Sequence, residues 1–187
     1  MKSFVGCALA LASAITARAQ EDASATLTPI SGNGPYMYAL TLVDSGSTAI
    51  GSLWYSWTPG NNYLPSLPSS ASPVTTGWTT SIRGANGAAS IQFVAGAGDA
   101  LQPGQSATFD FTSADSPSTL AGSVPAGSPP VETPIGTSVA YSGALFSDSG
   151  HTFVVASVPE PSSWALLGGS AASWLLLRRR RLAVQSV

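Results

Sequence analysis

The sequence predicts an all-β body, a single antiparallel sandwich, for its middle, residues 20–157. Three observations point that way. Apolar residues recur at every second position in short runs, the period at which successive side chains of a strand alternate between faces. Clusters of Gly, Pro, Ser, Thr and Asn separate those runs roughly every 8–12 residues, the spacing of strands in sandwiches and small barrels. Nothing in the body keeps a helical apolar period for more than about a turn. A closed barrel fits the same pattern and stands as the alternative architecture.

Taken in order, residues 25–30 make a short first strand. Residues 36–43 make a clear second one, with Tyr36, Tyr38, Leu40 and Leu42 on one face. Asp44-Ser45-Gly46-Ser47 is turn chemistry. Residues 50–57 form the next strand, with Leu53, Tyr55 and Trp57 alternating. Residues 58–73 contain four prolines and are expected as an irregular, exposed loop. Trp78, Thr80 and Ile82, then Ala89, Ile91, Phe93 and Ala95, mark two strands joined by a hairpin across Gly84 to Gly87. Pro103-Gly104 centres a turn that leads into Ala107, Phe109 and Phe111. After a second proline-rich loop, residues 116–134, two late strands at 137–141 and 152–157 close the body. The Leu101-Gln102-Pro103-Gly104-Gln105 step followed by alternating aromatics resembles bacterial Ig-like surface domains, which implies an Ig-like form of the sandwich.

Both ends of the chain read as targeting segments flanking this body. Residues 1–19 have a positive start at Lys2, an apolar run and Ala17-Arg18-Ala19 before Gln20. That is the pattern of a secretory signal peptide cut between Ala19 and Gln20. At the other end, residues 162–177 carry no charge and are followed by Arg178, Arg179, Arg180 and Arg181. Sixteen residues of helix reach about 24 Å, short of the roughly 30 Å hydrocarbon core. Snorkelling arginines and local thinning make up such a deficit. The arginine cluster keeps its own side cytoplasmic and places the body outside. Gly168 with Ala172 and Gly169 with Ser173 form two small-xxx-small pairs that let another membrane helix approach closely.

Between body and helix, Val158 precedes Pro159-Glu160-Pro161. Two prolines fix two φ angles and remove two backbone donors, which leaves a stiff, extended handle displaying one carboxylate. The Pro159-Glu160-Pro161 motif, the apolar helix 164–177 and the cluster Arg178 to Arg181, in that order, resemble the PEP-CTERM sorting signal of bacterial exported proteins. The resemblance covers residues 158–187. It implies recognition by an exosortase-like membrane protease, a transient single-pass stay in the inner membrane, and delivery to the cell envelope or extracellular matrix with exopolysaccharide or biofilm material. A permanent anchor and a soluble core helix compete with this reading. Four adjacent arginines, paired glycines and the lack of a polar face argue against the second.

Removing both segments leaves about 138 residues, enough for one domain. Eight carboxylates then stand against the single Arg83, a net charge of −7. Such a body offers no electrostatic footprint for nucleic acid. It contains no cysteine, since Cys7 lies in the leader, so neither disulfides nor thiolate metal sites support it.

Chemistry-bearing residues are sparse, and the expectation is a non-enzyme. His151 is the only histidine and falls at a strand start, where a surface role outweighs catalysis. No G-x-S-x-G elbow occurs. Asp110 and Asp115 are the nearest approach to a glycosidase acid pair, but Asp110 alternates with Phe109 and Phe111 and is expected to face solvent. Calcium is the one conceivable ion, at Asp44-Ser45-Gly46 or Asp148-Ser149-Gly150; both sequences also read as ordinary turns. Trp54, Trp57 and Trp78 are the candidate ligand face of a carbohydrate-binding or adhesive module, against the plainer reading of alternating aromatics as core.

Overall fold

A computed structural model describes residues 21–121, 133–144 and 146–158. Twelve strands and one helical turn follow in order among them. The first half holds β1 (Ala23–Ser31), β2 (Tyr36–Asp44), β3 (Ser52–Tyr55), β4 (Trp57–Thr58), β5 (Asn61–Asn62) and β6 (Ser70–Pro73). The second half holds β7 (Trp78–Ala85), β8 (Ala88–Ala95), β9 (Ser106–Ser113), α1 (Pro117–Leu120), β10 (Thr137–Tyr141), β11 (His151–Val154) and β12 (Ala156–Ser157). The chain is all-β, as expected from its alternation.

Two five-stranded sheets carry the fold, in the orders β12-β1-β2-β9-β6 and β11-β10-β3-β8-β7, and a small hairpin pairs β4 with β5. Their inner faces share one core. Leu27, Tyr38, Leu40, Phe109 and Phe111 come from the first sheet; Leu53, Tyr55, Ile91 and Phe93 come from the second. Phe93 and Phe109 stack across the interface with centroids 4.1 Å apart, Trp78 meets Phe109 edge-on at 5.2 Å, and Tyr55 meets Phe111 at 5.4 Å. The alternation seen in the sequence supplies these contacts directly: Ala107, Phe109 and Phe111 point inward, whereas Thr108, Asp110 and Thr112 are partly exposed on the other face.

Turn chemistry fixes the register. β7 and β8 pair from Trp78↔Ala95 to Ala85↔Ala88, which leaves Asn86-Gly87 as a two-residue connection, with Gly87 at φ +89°. Before β9, Gly104 at φ +80° follows Pro103, and the Gln105 N–H donates to the Gln102 carbonyl at 2.9 Å. Asp115 is buried. Its carboxylate accepts from Ser66 N and Oγ at 3.1 and 2.7 Å and from Ser113 Oγ at 3.1 Å, and its carbonyl accepts from Tyr38 Oη at 2.6 Å.

Three expectations are corrected. The pairing is not wholly antiparallel: β12 runs parallel to β1, with Thr26↔Ala156 and Leu27↔Ser157. The reason is topological, because the C-terminal strand leaves the second sheet at Val155 and joins the first sheet along its edge. The proline-rich loop 58–73 is not all irregular. It holds the β4–β5 hairpin and ends in β6, an edge strand on β9 whose Pro73 needs no partner on its free side. Finally, residues 50–57 do not form one alternating strand but divide into β3 and the start of β4. Ser56 takes φ +57°, breaks the alternation, and turns Trp57 to the same side as Trp54.

These registers define two ends of the molecule. At one lie the β1–β2 turn (32–35), the Asn86-Gly87 turn, residues 113–121 and the departing chain at Val158. At the other lie residues 44–51, 96–105 and 142–150.

Phe109 sits where three aromatic rings from both sheets meet, so Phe109→Ala should cost roughly 3–5 kcal/mol of unfolding free energy. Urea denaturation followed by tryptophan fluorescence measures it, and a loss below about 1 kcal/mol would contradict the shared core.

Candidate functional site: the last strand and the sorting handle

The segment that delivers the C-terminal handle is built from β11, Val155 and β12. In β11 the side chains alternate, and His151 and Phe153 stack at 5.9 Å. Val155 is buried in the shared core, and its N–H donates to the Gly136 carbonyl at 3.0 Å. Beyond it the chain docks on β1, and the Val158 N–H donates to the Leu27 carbonyl at 2.8 Å. This register sets Val158 opposite Thr28. In a parallel ladder the Val158 carbonyl would then look for the N–H of residue 29, which is Pro29 and has none. The next bond of the ladder is therefore missing at Val158, which is itself 39% exposed.

Of the residues expected for sorting, helix packing, topology and leader cleavage, Val158 alone is among those described. Pro159, Glu160, Pro161, Gly168, Gly169, Ala172, Ser173 and Arg178 to Arg181 lie outside the described residues, as do the membrane helix and Ala17, Ala19 and Gln20 of the leader. Among the described residues no helix is long and apolar enough to cross a membrane.

The candidate ligand face is corrected. Trp54, Trp57 and Trp78 are 6%, 7% and 5% exposed. Trp78 belongs to the inter-sheet core. Trp54 and Trp57 pack at 4.5 Å on the outer side of the second sheet, with Val139 and Tyr141, as a second small core. The β4–β5 hairpin carries Trp57 there and is tied to β8 by Ser90 Oγ donating to Asn62 Oδ1 at 2.7 Å. Rings enclosed in this way have no free face on which a sugar could stack.

The two acid–serine–glycine sequences are Asx turns. Asp44 Oδ1 accepts from the Gly46 N–H at 2.9 Å, and Asp148 Oδ1 accepts from the Gly150 N–H at 2.7 Å. Asp148 Oδ2 further accepts from Ser142 N at 2.9 Å, Ser142 Oγ at 2.5 Å and Ser147 Oγ at 2.9 Å. Partial burial would raise the Asp148 carboxyl; these donors and the neighbouring Glu21 outweigh it and hold the group at about 2. Glu21 shifts the other way, upward, through partial burial and then through its hydrogen bond and charge interaction with Asp148. The two carboxyls are thus pushed apart, Asp148 becoming the stronger acid and Glu21 the weaker. Among the described residues no group of three or more His, Cys, Asp or Glu could hold a metal ion.

His151 Nε2 lies 3.3 Å from Asp22 Oδ1, and both side chains are partly exposed. Asp22 also lines a hollow with Ser45, Gly46 and Ser47. An acid on the imidazole is one part of a hydrolytic triad, which further requires a nucleophile on the opposite ring nitrogen and donors for an oxyanion. The acidic pair Asp110 and Asp115 is divided by the fold: Asp110 is on the outer face of β9, and Asp115 is buried among serine donors. The coupled carboxyls Glu21 and Asp148 and the knot around Asp115 were not foreseen from the sequence. Only the D-S-G spelling of residues 148–150 hinted at the first.

A two-sheet β-domain whose last strand leads directly into the Pro159-Glu160-Pro161 sequence is the class that this geometry defines. Residues 157–181 match the family model of the PEP-CTERM protein-sorting motif, so the match begins within β12. The chain therefore carries a PEP-CTERM sorting signal. That signal marks an exosortase-sorted exported protein, handled at the membrane and directed to the cell surface. No curated protein matches the chain. A GH20 exo-β-N-acetylglucosaminidase from Vibrio harveyi, an inactive mutant, aligns over 74% of this chain and 18% of its own length, with 11% identity and a TM-score of 0.36. A likeness that low supports no argument about fold or activity.

Asp148 titrates below its ordinary 3.8 in the folded state, so its contribution is complete above that value and is lost as pH falls toward about 2. Glu21, raised, adds stability at low pH and loses it as pH rises through its folded value. Asp148→Asn should lower neutral-pH stability by roughly 1–2 kcal/mol and flatten the acid limb of a stability profile measured from pH 6 to 2.

Proposed function

We propose that the mature body is a non-enzymatic, Ig-like surface domain. In this reading the C-terminal tail holds it briefly in the inner membrane, and an exosortase-like protease removes the tail and passes the body to the envelope or extracellular matrix. There it associates with exopolysaccharide or biofilm material. The observation that carries this reading is the match of residues 157–181 to the sorting motif, which starts where the last strand of the body docks on β1. Support for the Ig-like form comes from strand order. β1-β2-β9-β6 and β11-β10-β3-β8-β7 reproduce the two-sheet exchange of Ig domains, with the β7–β8 hairpin taking the place of extra strands. In this reading the leader ends at Ala19, no metal is required, and nucleic acid is no partner. Support for a metal-free body comes from the two D-S-G turns, each of which spends a carboxylate oxygen on its own glycine N–H.

The alternative, a carbohydrate-binding or adhesive module, loses the tryptophans on which it was based. Any adhesive contact would have to use the hydroxyl-rich outer face of the first sheet, where Thr26, Thr41 and Thr108 stand in one cross-strand row.

Glu160→Ala, or Ser at residues 178–181, should leave full-length protein in the membrane fraction, whereas the parent is trimmed. Mass spectrometry of both termini gives the answer, and trimming that is unchanged in both variants defeats the sorting account.

A further inference from the structure

The structure places the start of the tail unusually close to one end of the body. Val158 stands opposite Thr28, and β1 continues for three more residues, to Ser31, before its turn. At about 3.3 Å per residue, that turn rises roughly 10 Å beyond Val158. The uncharged run begins at Ser162, four residues after Val158. Four residues of fully extended chain span at most about 14 Å. The headgroup layer on each side of a bilayer is only about 5–7 Å thick. With the tail inserted and β1 directed toward the bilayer, the apolar run would start within a few ångströms of the height of the β1–β2 turn, which would bring the turn to the headgroup layer.

Charge argues for the same orientation. Glu21, Asp22, Asp44, Asp99 and Asp148 all stand at the opposite end of the body. At the end where the chain departs, Asp115 is buried and Arg83, three residues before Asn86 of the turn, is exposed. Exposed apolar side chains do not discriminate: Ile30 and Leu67 are at the departing end and Phe146 is at the other. Among the described residues the carboxylates do, because phosphate headgroups repel the end that gathers five of them more strongly than the other.

We propose that, while the tail is in the membrane, the body rests on the lipid surface through the end formed by the β1–β2 turn and the Asn86-Gly87 turn, with its acidic end directed away. The partner is the phosphate headgroup layer of the bilayer that holds the tail, and the proposal rests on the membrane residence of that tail. The body has no cysteine, so single reporters can be introduced on the exported full chain in a host without an exosortase. A fluorophore at Asn33→Cys should be quenched by nitroxide-bearing lipid several-fold more than one at Gln102→Cys. A flexible Gly-Ser linker inserted between Val158 and Pro159 should abolish the contrast. If the chain washes off the membrane in alkaline carbonate, both the anchoring reading and this proposal fall. If the chain is retained but the two reporters are quenched equally, or the linker leaves the contrast intact, only this proposal is overturned.

Discussion

Phe93 and Phe109 lie ring on ring at 4.1 Å, and the body closes around that contact. Neither sheet can bury its inner face alone, and with no disulfide in the body the energy holding the two together must come from burial. Phe109 collects Trp78 on one side, while Phe111 collects Tyr38 and Tyr55 on the other, so one strand of the first sheet carries most of the aromatic contact to the second. The position of the chain end follows from this seam. Because the sheets are held face to face, the strand beginning at His151 can pass from one to the other in a single residue, Val155, and still bury it.

Function and fold divide at that crossing. Up to Val155 the chain serves the core; from Ala156 to Val158 it serves as a clip along β1; from Pro159 onward it carries the sorting signal. The clip is short but well defined in register, and at Val158 it meets Pro29, which has no N–H to offer the next bond. Polar side chains do the corresponding work in the loops. Asp115 binds two segments through serine donors, and Asp148 closes the long 142–150 connection through Ser142 and Gly150. In both places a carboxylate serves as a structural acceptor, which is how an acidic body with one arginine can still bury charge.

Much of this was legible in the residues. Regular alternation at Tyr38, Leu40 and Leu42, and again at Ala107, Phe109 and Phe111, marks strands that are buried on one face only, and there the period decides the outcome. The Asn86-Gly87 hairpin and the Pro103-Gly104 turn follow from local backbone preference. Where the reading failed, a distant part of the chain had intervened. Leu53 and Tyr55 face the core, but Trp54 between them is covered by a hairpin that comes later in sequence, so the whole strand is buried and alternation conveys nothing. Ser56 adopts a left-handed φ without being glycine or asparagine, held by Ser138 and Ile135 some eighty residues away. β6 is a polar, proline-ended edge strand that only its neighbour defines. The sorting handle is the opposite case. Its three parts are contiguous and are recognised as a linear pattern, so it could be read without any knowledge of the fold.

The missing N–H of Pro29 is set by covalent structure, and neither salt nor temperature restores it. Whatever becomes joined to the polypeptide beyond Val158, whether glycan, lipid or a grafted reporter, is attached at the end of the sandwich remote from Asp22 and Asp44. A lawn of such molecules tethered by their carboxyl ends would show its surroundings a continuous anionic fringe.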